Sequence, residues 1–150
     1  MAYVIEEISD ALLHRGRMRG LSISNLMLQK LLYYAHAWHL VMRGGPLFWE
    51  PVEAWVHGPV IPCVFRRFKT FGWDPIILDS APCSDANLNG YLDSIFDTYG
   101  GYSAKQLERL THLESPWRDA RAGLPPDQPS NAVISNEAIR SYYSARLAAS

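Results

Sequence analysis

The stretch Asn25-Leu-Met-Leu-Gln-Lys-Leu-Leu-Tyr-Tyr-Ala-His-Ala-Trp-His-Leu-Val-Met-Arg43 decides how the rest of the chain is read. It contains no Gly or Pro until Gly44. Leu28, Leu31, Leu32, Ala35, Trp38, His39 and Met42 recur at i, i+3 and i+4 and share one helical face. Met27, Tyr34 and Val41 extend the apolar character onto a second face. A helix apolar around most of its circumference belongs in the middle of a fold. Ser24 suits the N-cap and Gly44 the position just past the C-cap, so both ends are marked. Lys30, His36 and His39 are the polar exceptions, either rim residues or buried groups with partners.

Working outward, Tyr3, Val4, Ile8, Ala11, Leu12 and Leu13 form an amphipathic helix that ends near a basic loop, His14–Gly20. After Gly44-Gly45 the period changes. Val52, Ala54 and Val56 alternate with Glu53, Trp55 and His57, a strand or hairpin pattern closed by Gly58-Pro59. Val60–Phe71 returns to helical spacing, with Pro62 in the first turn and Gly72 as terminator. Asp74–Asp79 reads as a short strand able to pair with 52–57. Ser80–Ala86 reads as a polar linker. Asp85 caps a helix using Leu88, Leu92, Ile95 and Phe96. Ser103-Ala-Lys-Gln106 is a capping box that opens a helix with Leu107, Leu110 and Leu113. Ser115-Pro116 reads as an N-cap with Pro at N1, ahead of Trp117. Gly123–Asn131 is a Pro-rich loop, and Ser135 caps a last helix between the staple residues Ile134 and Ile139. The expected fold is α+β and mainly α-helical: one domain, 1–150, around a central buried helix, with a small antiparallel sheet.

Composition narrows the function. Of 150 residues, 48% are hydrophobic and 19% charged, an ordinary globular balance. The 14 Lys and Arg against 15 Asp and Glu leave a net charge of -1, which does not call for a nucleic-acid partner. Arg15-Arg17-Arg19 and Arg66-Arg67-Lys69 are the densest basic groups. The 2 cysteines, Cys63 and Cys83, make no disulfide framework. Glu6-Glu7 breaks any leader pattern, and Leu31–Met42 is too short to span a bilayer. A reduced, cytoplasmic protein without a membrane segment is expected.

Catalytic and cofactor patterns are weak. His36-x-x-His39 is one helical turn without a Cys or carboxylate pair at zinc-site spacing, so no metal is expected. Gly44-Gly45 and Gly100-Gly101 lack the Lys-Ser/Thr of a phosphate loop. Glu6-Glu7 and Asp93/Asp97 are read as solvent-facing. Cys63, at a helix start, could pair with His57 or His112, but its flanks carry no protease signature. No catalytic residue and no cofactor are assigned.

Three ordered motifs go further. Leu28-Gln-Lys-Leu-Leu-Tyr-Tyr-Ala-His36 with Trp38, then Pro46-Leu-Phe48, then Glu53-Ala-Trp-Val-His-Gly-Pro-Val60 resemble the Panacea domain family of SocA/GepA-like, phage- or mobile-element-associated antitoxins. Leu110-Thr-His-Leu-Glu-Ser-Pro-Trp117 and Tyr142-Tyr143 are similar to the same family. The resemblance covers roughly Ile8 to Tyr143. His57 stands where the family often has an aromatic residue. The resemblance implies a non-enzymatic protein that binds and neutralises a cognate toxin encoded beside it. Members that look like SocA also act as adaptors that deliver the toxin to the ClpXP protease. A sheet edge or an aromatic rim near Tyr33, Tyr34, Trp55 and Trp117 would supply anchors, with a core role open for both tryptophans. Lys30 and His36 would border a groove formed with His57, Gly58 and Pro59. The alternatives are a DNA-binding autoregulator using the arginine groups and a small Cys/His hydrolase.

Overall fold

A computed structural model of the chain describes residues 2–79 and 82–150. Helices dominate: α1 (Ile5–Met18), α2 (Asn25–Met42), α3 (Pro62–Arg67), α4 (Ala86–Tyr99), α5 (Ala104–His112), α6 (Ser115–Ala120) and α7 (Asn136–Ala149). Strands β1 (Val52–Trp55), β2 (Gly58–Val60) and β3 (Val133–Ile134) form an antiparallel sheet in the order β2-β1-β3. The expected α+β architecture is therefore found.

α2 runs through the centre. It packs against α7, α5, α4, α1, α3 and β2. Of its 18 residues, 14 are buried, so the helix has almost no solvent face. Ser24 Oγ accepts from the Met27 N–H, and Gly44 adopts φ 74° just past the Arg43 C-cap. Met42, placed by periodicity on the buried face, is exposed at the end of the helix.

The caps read from sequence organise the periphery. Asp85 accepts from the Leu88 N–H, Ser103 and Gln106 form the reciprocal capping box, and Ser135 accepts from the Ala138 N–H. At α6 the N-cap is Glu114, one residue earlier than expected. The Glu114 side chain does no capping, because it turns inward to Tyr34 and Tyr143.

Three other expectations change. Asp74–Asp79 does not join the sheet. Pro75 makes an isolated bridge to Ser24, and the Ile76 N–H donates to Ile23 O at 2.8 Å. Gly72, at φ 57°, turns the chain toward the entry of α2, and β1 takes β3 instead. The basic loop His14–Gly20 is helical through Met18. Of the linker Ser80–Ala86, Ser80 and Ala81 lie outside the described residues.

The acidic pair on α4 makes ion pairs, Asp93 half-buried and Asp97 still facing solvent. Asp93 binds Arg15 at 2.5 Å and Asp97 binds Arg19 at 2.9 Å, which ties α4 to the end of α1. The Arg15 guanidinium holds the Asp93 carboxyl below its ordinary range.

Arg121 was not singled out by the sequence, yet it is 2% exposed. Its guanidinium donates to Ala54 O at 3.1 Å, to Pro125 O at 2.9 Å and to Gln128 O. Its charge lies over the Trp117 ring, 4.7 Å from the centroid. One side chain thus fastens the 121–128 turn to β1. Arg121→Ala leaves these carbonyls without their donor and is expected to cost about 3 kcal/mol in urea unfolding.

Candidate partner-binding site

The Trp55–Val60 hairpin lies directly on α2. Gly58 has φ 105°, a conformation that L side chains rarely adopt. A Cβ there would stand 2.7 Å from Lys30 Cε and 2.8 Å from Thr111 Oγ1. Glycine is needed for space as well as for backbone angle. Lys30 itself is fully buried, and its ammonium donates to Pro59 O at 2.9 Å. Burial lowers its pKa to about 7, with Glu108 opposing the shift. Lys30, Gly58 and Pro59 thus form one junction inside the protein, where the sequence suggests the rim of an open groove shared with His36 and His57.

The neighbouring amides complete the junction. Gln29 Oε1 accepts from the Ile61 N–H at 2.9 Å, Gln29 Nε2 donates to Asn25 Oδ1 at 2.9 Å, and Asn25 Nδ2 donates to Phe65 O at 3.1 Å. Together these bonds hold β2 and α3 against the first turns of α2.

Beside this junction lies a hollow of about 430 Å³. Leu26, Trp55, Val60, Phe65 and Trp73 supply its apolar walls, with Lys69 and His57 also lining it. Trp55 packs edge-on to Phe65 at 5.0 Å, and its indole N–H donates to Glu53 Oε1 at 2.8 Å. His57, at the turn, contacts Glu108 through Nδ1 at 3.2 Å and meets the Trp73 ring edge-on at 5.7 Å. Trp73 is 67% exposed, an unusual state for so large an apolar side chain. Neither Trp73 nor Phe65 was singled out from the sequence. The signal was present for Trp73, a tryptophan between Gly72 and Asp74-Pro75, in a turn with no helical or strand period to bury it.

The other residues proposed from sequence occupy different places. Trp117 is buried, stacks on His112 at 3.9 Å and donates its indole N–H to Trp55 O at 2.7 Å, so it supports the hairpin from beneath. Tyr33 and Tyr34 point into an interior cluster with Tyr143 and Glu114. Tyr34 OH lies 3.3 Å from both Glu114 oxygens, and Tyr143 OH donates to Oε1 at 2.5 Å. Burial raises the Glu114 carboxyl, opposed by the Tyr143 bond, Arg146 and the Tyr34 bond. His36 does not reach His57-Gly58-Pro59. Its Nδ1 accepts from the Leu47 N–H at 3.3 Å, its Nε2 meets Asn136 Oδ1 at 2.9 Å, and its ring stacks on Phe48. Burial lowers its pKa to about 4, so the ring is neutral. Of the nine residues, Trp55 and His57 reach the hollow, Lys30, Gly58, Pro59 and Trp117 hold the hairpin beneath it, and the remaining three face other parts of the core.

The chemistry weighed for Cys63 does not develop. Burial pushes its thiol up, and Glu50 and Glu6 add to the shift, the opposite of what a nucleophilic thiolate needs. His57 is engaged with Glu108, and His112 stacks on Trp117. His39, the partner of His36 in the one-turn pair, directs Nδ1 at Gly45 O, 2.7 Å away.

A family model described as "Antitoxin SocA-like, Panacea domain" matches residues 28–118. Antitoxin SocA of Caulobacter vibrioides (strain NA1000 / CB15N) is 35% identical over 124 residues, a match covering 73% of this chain and 66% of that protein. The chain therefore spans just under two thirds of that relative's length. No solved structure matches the chain. Among the described residues, no helix is long and apolar enough to cross a membrane.

Two outcomes test the junction. Gly58→Ala is expected to destabilise the protein by about 3 kcal/mol in urea unfolding, from backbone strain together with overpacking against Lys30 and Thr111. The lowered Lys30 pKa means that, above about pH 7, the unfolded chain still holds a proton that the folded chain has released. This group therefore makes stability rise with pH between about 7 and the ordinary lysine range. Urea midpoints at pH 7 and pH 9 should show that rise in the wild type, and Lys30→Met should reduce it.

Proposed function

The chain belongs to the SocA-like Panacea-domain family of antitoxins, and on that premise we propose that it binds a cognate toxin protein and neutralises it by direct contact. The observation that carries this reading is the family match over 28–118. That span includes the Trp55–Val60 hairpin, nearly all of α2 and Trp73. The hairpin offers what a binding module needs: a rigid support and a partly exposed aromatic surface. The reading requires no catalytic residue, and the raised Cys63 thiol agrees with that.

A second reading is delivery of the bound toxin to ClpXP. The 35% identity to a protein named Antitoxin SocA favours it, because the resemblance to SocA-like members implies such adaptors. The proposed setting is the cytoplasm, in keeping with the free thiols of Cys63 and Cys83.

DNA binding is the weaker alternative. Arg15 and Arg19 are paired with Asp93 and Asp97, Arg17 donates to Leu78 O, and Arg67 is paired with Asp10 at 2.8 Å. Arg15, Arg19 and Arg67 are thus partly cancelled where they stand, and with a net charge of -1 the chain as a whole has little field to attract a phosphate backbone.

Co-expression with the product of the adjacent reading frame, in cells with and without ClpXP, separates the readings. Direct neutralisation predicts normal growth and an inactive, undegraded toxin in both strains. Growth arrest in the strain lacking ClpXP, with faster toxin loss in the other, would replace direct neutralisation with delivery. No rescue in either strain would reject both.

A further inference from the structure

The hollow beside the Trp55–Gly58 turn has a chemistry that selects its occupant. Its walls are almost wholly apolar: Leu26, Trp55, Val60, Phe65 and Trp73. The polar side chains at its base are already committed, because Asn25 and Gln29 bond to Phe65 O, to the Ile61 N–H and to each other. Binding sites for small molecules fix their ligand with a few convergent polar groups. Here those groups hold the hairpin and α3 instead. An apolar side chain of a protein partner needs no such groups, because its own backbone orients it.

Charge narrows the choice further. Among the described residues that line the hollow, Lys69 carries a positive charge and none is a carboxylate. Lys105 lies over the Trp73 ring, with Nζ 5.8 Å from the centroid, and shares Glu108 with His57. Glu53, the nearest acid along β1, accepts from the Trp55 indole, and Asp74 follows Trp73 without lining the hollow. A second copy of this chain fits poorly, because a two-fold contact centred here would bring like Lys69 charges toward each other. Trp73, 67% exposed and held at its ring by His57 and Lys105, is placed as an interface anchor.

We propose that this hollow receives a protruding apolar side chain of the toxin that has an Asp or Glu beside it, the apolar group entering between Trp55, Phe65 and Trp73 and the carboxylate meeting Lys69. The proposal rests on the toxin-binding reading and adds to it the contact surface and the chemistry recognised. Trp73 supplies a large, rigid wall that the partner side chain covers, and closing that contact removes water from the exposed indole.

The test uses the full chain and the purified product of the adjacent reading frame. Binding is measured at low and high salt for the wild type, Trp73→Ala, Trp73→Phe, Lys69→Glu and, as a control, Trp49→Ala, whose side chain is 74% exposed but lies outside the hollow. Circular dichroism and urea midpoints confirm that each variant is folded. The expected result is a loss of tenfold or more for Trp73→Ala, partial recovery in Trp73→Phe, a salt-sensitive loss for Lys69→Glu, and less than a twofold change for Trp49→Ala. Wild-type affinity in folded Trp73→Ala and Lys69→Glu would overturn the assignment while leaving toxin binding intact. A change of oligomeric state in Trp73→Ala with unchanged toxin binding would give the hollow to a second copy. A small apolar compound co-purifying with wild type but not with Trp73→Ala, again with unchanged toxin binding, would give it to a ligand. Absence of toxin binding by the wild type would instead reject the proposed function itself.

Discussion

Five polar side chains on α2, Asn25, Gln29, Lys30, His36 and His39, are withdrawn from water, and each must find its partner inside the protein. The partners are spread over the chain. Asn25 and Gln29 fix Phe65 and Ile61 at the ends of the segment leading through α3, Lys30 fixes Pro59 in β2, His36 fixes Leu47 and Asn136, and His39 meets Gly45. An apolar helix can slide against its neighbours at small cost, because dispersion and burial are not directional. These bonds are directional, and a one-residue slip would leave several buried groups unpaired. They therefore set the depth and register at which everything else meets α2.

The hairpin beside the hollow follows from the same constraint. Lys30 reaches its acceptor only because Gly58 offers no Cβ in its path. The bond fixes the hairpin, and the hairpin in turn presents Trp55 and His57 at its edge. Trp117 and Arg121 add to this hold through Trp55 O and Ala54 O. Held at these points, the hairpin keeps Trp55 and His57 at the edge of the hollow.

Much of the periphery is held by charge. Arg15 and Arg19 at the end of α1 meet Asp93 and Asp97 on α4, and Arg67 meets Asp10. Such partly exposed pairs each contribute little stability. Their larger effect is to tie α1 to α4 and to α3. The inward-turned Glu114 works differently, accepting from the Tyr143 hydroxyl and meeting that of Tyr34 in a water-poor cluster that links α2, α6 and α7.

The sequence by itself determined the local structure: the central helix with its Ser24 and Gly44 ends, the caps at Asp85, Ser103 and Ser135, and a hairpin starting at Val52, although Gly58-Pro59, expected to close it, lies inside β2 and the turn falls at Val56-His57. These depend on residue propensity, hydrophobic period and hydrogen bonds within a few positions, all visible along the chain. The ordered motifs around α2 and the hairpin also carried the family. Tertiary structure decided the rest. It sent Asp74–Asp79 to the entry of α2 and gave β1 the distant Val133–Ile134 as its second partner, because strand pairing depends on which segments are brought together. It also turned His36 toward α7, placed Lys30, Tyr33 and Tyr34 in the interior, and set Trp73 beside Phe65 at a surface hollow. The direction of a side chain on a helix apolar all round cannot be read from its period; it is settled by which neighbour supplies the matching donor, acceptor or space.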